Sequence, residues 1–201
     1  MSNPPKRTAE TKRPVYRRRR SVTVYIHLDD GDGGDPAAAA SVRKILDAAC
    51  RLFDATLKEV GDAGRLPPDA EISLSLLTPD EMEEENEKYR GIAAPTDVLS
   101  FPLWEEDGRF VVASPLPVLP LGDILLCPAY IRQNVQDPTD EGMARELVLM
   151  VVHGFLHLIG WDHCTDEETA RMASEQTRLL DALLESTSRT TGERPAGEAR
   201  S

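Results

Sequence analysis

An α+β domain, a small four-stranded sheet covered by helices, is the fold class this sequence predicts, and three observations lead there. At 201 residues and 22.2 kDa the chain is long enough for one domain with a sizeable core and short for two. Segments with alternating apolar residues are interleaved with segments whose apolar residues recur at three and four. Their order, βα, βα, ββ and then ααα, suits a small sheet packed under helices.

Ser21 to Leu28 (SVTVYIHL) alternates and is rich in β-branched residues, which predicts a first strand. Asp29 to Pro36 (DDGDGGDP) has the acids and glycines of a calcium loop but lacks the closing Glu at the twelfth position, so it reads as a connection. From Ala37 to Val60, Val42, Ile45, Leu46, Ala49, Leu52, Phe53 and Leu57 form one apolar face of a helix, with Gly61 and Gly64 suited to its end. Glu71 to Thr78 alternates as a second strand. The next helix, running to Tyr89, opens with Thr78 as N-cap, Pro79 at the first position and Glu81 three residues after the cap.

Thr96 to Phe101 and Gly122 to Cys127 are short apolar segments bounded by Pro and Gly and predict two more strands. The Pro-rich stretch between them, Pro102 to Pro120, predicts a long loop or hairpin. Pro128 to Gln136 reads as a short helix, Asp140 to Leu158 as a long buried one and Asp166 to Leu184 as an amphipathic one. The domain is expected over residues 21–186, between a basic arm (1–20) and a polar tail (187–201), both without fixed structure.

Composition excludes several classes. Hydrophobic residues are 40%, charged residues 29% and mean hydropathy is -0.36, ordinary for a globular protein. The longest apolar stretch, Leu147 to Ile159, is broken by His153 and His157 and falls short of the roughly 18–20 residues of a membrane span. No apolar segment in the first twenty residues resembles a secretory signal, and Cys50, Cys127 and Cys164 are odd in number with no CxxC pair. A cytoplasmic protein with reduced thiols is expected.

The net charge of -12 hides an asymmetry: residues 1–20 carry eight Lys and Arg against Glu10, leaving -19 on the remainder. Such a body repels a polyanion at long range, so any RNA role needs a local site; the arm is either a source of phosphate affinity through counterion release or simply a solvated tail. The acidic runs at Asp80 to Glu87 and Asp166 to Glu168 read as exposed helix faces and first turns.

Three of the four histidines lie in the eleven residues His153 to His163. A lone histidine on a buried helix is ordinarily a satisfied core residue; three at this spacing point to a metal. His153 and His157 are four apart, so on a helix their rings differ by about 40° in azimuth and share one face. Gly160 suits a helix stop that turns His163 back toward the same point. Zinc held by three nitrogens keeps a fourth position open, the arrangement of a catalytic site, unless Cys164 closes it. The HxxxHxxGxxH spacing resembles that of the metzincin peptidases, but their general base, a Glu after the first His, is replaced by Gly154. Water would then be activated by the ion itself, by Asp162 or by the substrate phosphate.

Three motifs in order carry a resemblance to a known family: Asn86 to Gly91 leading to Thr96-Asp97-Val98-Leu99-Ser100-Phe101-Pro102, then Leu121-Gly122-Asp123-Ile124, then His153 to His163. Over residues 80–180 the chain resembles the YbeY endoribonucleases, the bacterial ribosomal RNA maturation factors. The resemblance implies a mixed sheet, a single Zn2+ held by His153, His157 and His163, and Arg90 as the functionally important arginine of the cleft. It further implies action on single-stranded, ribosomal RNA in ribosome maturation and quality control, with the ribosome or small-subunit proteins as partners. A guanidinium suits that role, because its fixed donors match a phosphodiester; the alternative for Arg90 is an ion pair with the preceding acidic run. Glu146, two turns before His153, is a candidate acceptor for a ligand ring, and Met172 a candidate floor beneath the metal. Trp161 stands where the family usually has Tyr.

The leading expectation is therefore a metal-dependent endoribonuclease whose nucleophile is water or a ribose 2′-hydroxyl. A zinc peptidase or amide hydrolase, weakened by Gly154, and a non-catalytic ribosome assembly factor stabilised by zinc are the alternatives.

Overall fold

The structure, a computed structural model, describes residues 23–31, 35–60, 66–106, 109–112 and 116–192. The basic arm, the centre of the Asp29–Pro36 connection, Gly61 and Gly64, and residues 193–201 lie outside the described residues. No helix among the described residues is long and apolar enough to cross a membrane.

The predicted mixed four-stranded sheet is present, in the order β1-β2-β6-β3. Strand β1 (Thr23–Asp29) runs parallel to β2 (Asp69–Leu76), which runs parallel to β6 (Val118–Leu126), and β3 (Val98–Pro102) closes one edge antiparallel to β6. The Pro-rich segment contains the short hairpin β4 (Glu105–Glu106) and β5 (Arg109–Phe110). Helix α1 (Pro36–Val60) is capped by Asp35, whose carboxylate accepts from the backbone N–H groups of Ala37 and Ala38 at 2.9 and 3.1 Å. Its predicted face is buried: Val42, Ala49, Phe53 and Leu57 are at 0% exposure.

Helix α4 (Asp140–Leu158) lies across α1 and the sheet, with Phe155 stacked on Phe53 at 3.7 Å and 7°. Helix α5 (Asp166–Gly192) packs on both α1 and α4 through Leu179, Leu180 and Leu183. It continues past Leu184 into the predicted tail, with the Ser186 and Thr187 hydroxyls donating to the carbonyls of Leu183 and Leu184. Helix α2 (Pro79–Arg90) supplies Met82 to a second, smaller cluster with Leu99 and Cys127, and α3 (Pro128–Asn134) joins the two clusters, with Tyr130 against the second and Ile131 in the main core.

Strand β6 begins at Val118, four residues before the predicted start at Gly122, and a bulge explains the difference. Glu71 pairs with Pro120 and Ile72 with Gly122, leaving Leu121 as the extra residue. The buried positions consequently switch phase, from Leu119 and Leu121 to Ile124 and Leu126, while Asp123 faces solvent. An uninterrupted alternation from Leu119 would have driven Asp123 into the core. Pro120 is tolerated because β3 stops pairing at Gly122, and the Pro120 carbonyl accepts instead from Trp104 Nε1 at 2.6 Å.

Candidate active site

Both histidine positions of α4 arise from its sequence pattern. Val151, Val152, Phe155, Leu156 and Leu158 are buried, which leaves His153 and His157 as the half-buried stripe at the C-terminal end. Their rings lie 4.7 Å apart and their Nε2 atoms 3.1 Å apart. Helix α4 then ends in a Schellman turn: Trp161 N–H donates to the Leu156 carbonyl and Gly160 N–H to that of His157, each at 3.0 Å. Gly160 adopts φ +82°, and a Cβ there would also meet Phe110 N at 2.7 Å, so the reversal requires glycine.

The turn returns His163 to the same point, with its ring 5.7 Å from that of His153 and 5.2 Å from that of His157. One nitrogen from each of the three lies within 4.8 Å of the others, a group that could hold a metal ion. Asp162 braces the turn, accepting from His163 N–H at 2.8 Å and from the Cys164 thiol at 3.0 Å. That thiol and the His163 N–H hold its carboxyl below the ordinary range, which makes it a weak base and a poor candidate for activating water. The thiol is committed to Asp162, and the three-nitrogen group does not include it.

Burial pushes His157 down from 6.5 to about 4, and the neighbouring His153 and His163 push the same way. His157 is therefore neutral and able to donate its lone pair throughout the physiological range. In the metal-free protein the unfolded chain takes up this proton near 6.5 and the folded chain only near 4. Stability attributable to His157 is full above about pH 6.5 and is lost as pH falls toward 4. Thermal melts of metal-stripped protein at pH 7 and 5 should show that loss, and it should shrink in His157→Asn.

The histidines open into a cleft of about 680 Å³ whose far wall carries Arg90, Asp97, Val98, Ser100 and Pro102. Arg90 arrives at the end of α2, whose start is the predicted capping box: Thr78 N–H donates to Glu81 Oε2 at 2.8 Å and Glu81 N–H to Thr78 Oγ1 at 3.4 Å. Lys88 pairs with Glu85 of the acidic run, whereas Arg90 is exposed and forms no hydrogen bond or ion pair among the described residues. Asp97 lines the cleft with its carboxylate turned to Thr96 Oγ1 and Val98 N–H, while Asp123 points away on the open sheet face. Trp161 forms part of the rim, with the Arg171 guanidinium 5.7 Å from its ring centroid. Met172, buried among core residues, also contributes to the lining.

Residues 39–184 match the family model described as endoribonuclease YbeY. The chain belongs to the endoribonuclease YbeY family. Among its relatives, the endoribonuclease YbeY of Bacillus subtilis (strain 168) is 42% identical over 115 residues, 56% of this chain and 72% of the relative. That of Bacillus licheniformis is 38% identical over 164 residues, 80% of this chain and 95% of the relative. The solution structure of a Thermotoga maritima protein superimposes with a TM-score of 0.53 at 27% identity, covering 88% of this chain and 99% of that one.

Two features of the YbeY site escape the sequence. Gly154, at the position of the peptidase base, faces β6: a Cβ there would lie 2.8 Å from Ile124 Cγ2. A side chain, and so a carboxylate, would fit between α4 and the sheet only by displacing the Ile124 side chain. The partner of His153 Nδ1 is Gln176 of α5 at 2.8 Å, while Glu146 lies outside the cleft. A glutamine in a polar-rich helix carries no signal by itself; only its stripe with Thr169, Met172 and Ala173, all lining the cleft, marks it.

Proposed function

We propose that this protein is a zinc-dependent endoribonuclease cleaving single-stranded RNA in ribosomal RNA maturation, with the ribosome or its small-subunit proteins as partners in the cytoplasm. The observation that carries the reading is the convergence of three histidine nitrogens within 4.8 Å at one end of a cleft that also holds Arg90, exposed and without an ion pair among the described residues. Three imidazole nitrogens match the donor set of an open zinc site, and His157 is held neutral by its surroundings. His153, His157 and His163 would hold the ion. When bound, zinc supplies Lewis-acid charge at a phosphodiester and acidity to water.

The chain's own residues do the rest. Arg90, which lines the cleft, binds the phosphodiester with fixed paired donors and stabilises charge that develops on its oxygens. Gly154 against Ile124 removes the side chain on which a peptidase would rely.

Cleavage of a single-stranded RNA by the purified protein should cease with a chelator and return with Zn2+. Arg90→Ala should slow it by roughly 100-fold or more, the cost of losing one transition-state donor. Metal content and thermal stability should be unchanged, since the side chain is exposed. An Arg90→Ala variant as active as wild type would remove Arg90 from the machinery. Wild-type protein that carries zinc but cleaves nothing would favour the assembly-factor role.

A further inference from the structure

We propose that Gln176 is a positioning residue of the metal centre, fixing the tautomer and rotation of His153 with a neutral amide. The inference rests on the reading of the three histidines as metal ligands. Imidazole has two nitrogens, and the one that binds an ion must carry a lone pair. His153 Nε2 faces His157 Nε2 at 3.1 Å, so Nε2 is the atom aimed at the shared point. Nδ1 must then carry the hydrogen, and a hydrogen on Nδ1 needs an acceptor. Gln176 Oε1 supplies it at 2.8 Å.

The two residues are 23 apart in sequence, on helices that pack against each other. Met172, one turn before Gln176 and 2% exposed, anchors that segment of α5 in the core, so the amide is held by the packing and not by a loop. Were the amide reversed, its NH2 group would force the lone pair onto Nδ1 and the hydrogen onto Nε2, directed at the other ligands. Ligand histidines commonly use a carboxylate for this purpose, which strengthens the ring as a donor and brings a negative charge. An amide orients the ring equally well and adds no charge, which suits a centre that must attract a phosphodiester within a body at -19.

The test uses the full chain stripped of metal. Nitrogen-15 NMR of the imidazoles should find His153 with its hydrogen on Nδ1 in wild type and a tautomer mixture in Gln176→Leu. Titration with Co2+ against a competing chelator should show about 10- to 100-fold weaker binding by Gln176→Leu. Gln176→Glu, which keeps an acceptor, should restore binding to within a few-fold of wild type. The metal-free Gln176→Leu protein should unfold at the wild-type temperature, since the hydrogen bond orients a ring rather than holding helices together.

An unchanged tautomer with unchanged Co2+ affinity in Gln176→Leu overturns the proposal, as does failure of Gln176→Glu to restore binding. Wild-type protein that takes up no Co2+ would sink the metal-centre reading itself, while the tautomer comparison still judges Gln176.

Discussion

His157→Ala should lose RNA cleavage by a factor on the order of a thousand or more, because the variant forfeits several kcal/mol of ion-based transition-state stabilisation. His157 occupies the middle of the three rings, 4.7 Å from that of His153 and 5.2 Å from that of His163. Without it the remaining two nitrogens form a two-coordinate site of low affinity. The fold should persist, since His157 is half-buried and its backbone hydrogen bonds are those of the helix end. The measurement is cleavage of a single-stranded RNA by wild type and variant purified identically, with bound metal and circular dichroism recorded for both. Equal cleavage by the two would place the activity elsewhere or in a contaminant.

Gly122→Ala should be strongly destabilising, costing about 4 kcal/mol from strain and forced overpacking together. Gly122 has φ +139°, and a Cβ there would sit 2.1 Å from the Phe101 carbonyl oxygen and 3.0 Å from Leu158 Cδ2. The first contact is backbone, so no rotamer change relieves it. Relief requires β3 to move away from β6, and β3 carries Val98, Ser100 and Pro102 of the cleft wall. Urea unfolding should show a large fall in midpoint, and RNA cleavage should fall with it even where the protein remains folded. A wild-type midpoint would mean that the β3–β6 edge is looser than its register implies.

These two positions illustrate different degrees of legibility. The histidine spacing is local: four residues on one helix face and a glycine turn are set by helix geometry, so the three-ring cluster can be read before any fold is known. The capping box at Thr78 and Glu81 and the apolar stripe of α1 are local in the same sense. The bulge at Leu121 is different. Its phase switch looks in sequence like the end of an alternation, and only the neighbouring strands β2 and β3 show that the strand continues.

The four strands of the main sheet, the helix positions, the acidic body and the histidine cluster were thus legible in the sequence itself, because each depends on neighbours within a turn or two. The tertiary structure alone decided that Arg90, at the end of α2, and Gln176, on α5, face the same cleft as the histidines. It also decided that Glu146 does not reach His153 and that Gly154 is filled by Ile124. Those outcomes depend on how helices cross a sheet, and crossing is set by packing between side chains far apart in the chain, which periodicity along one segment does not encode.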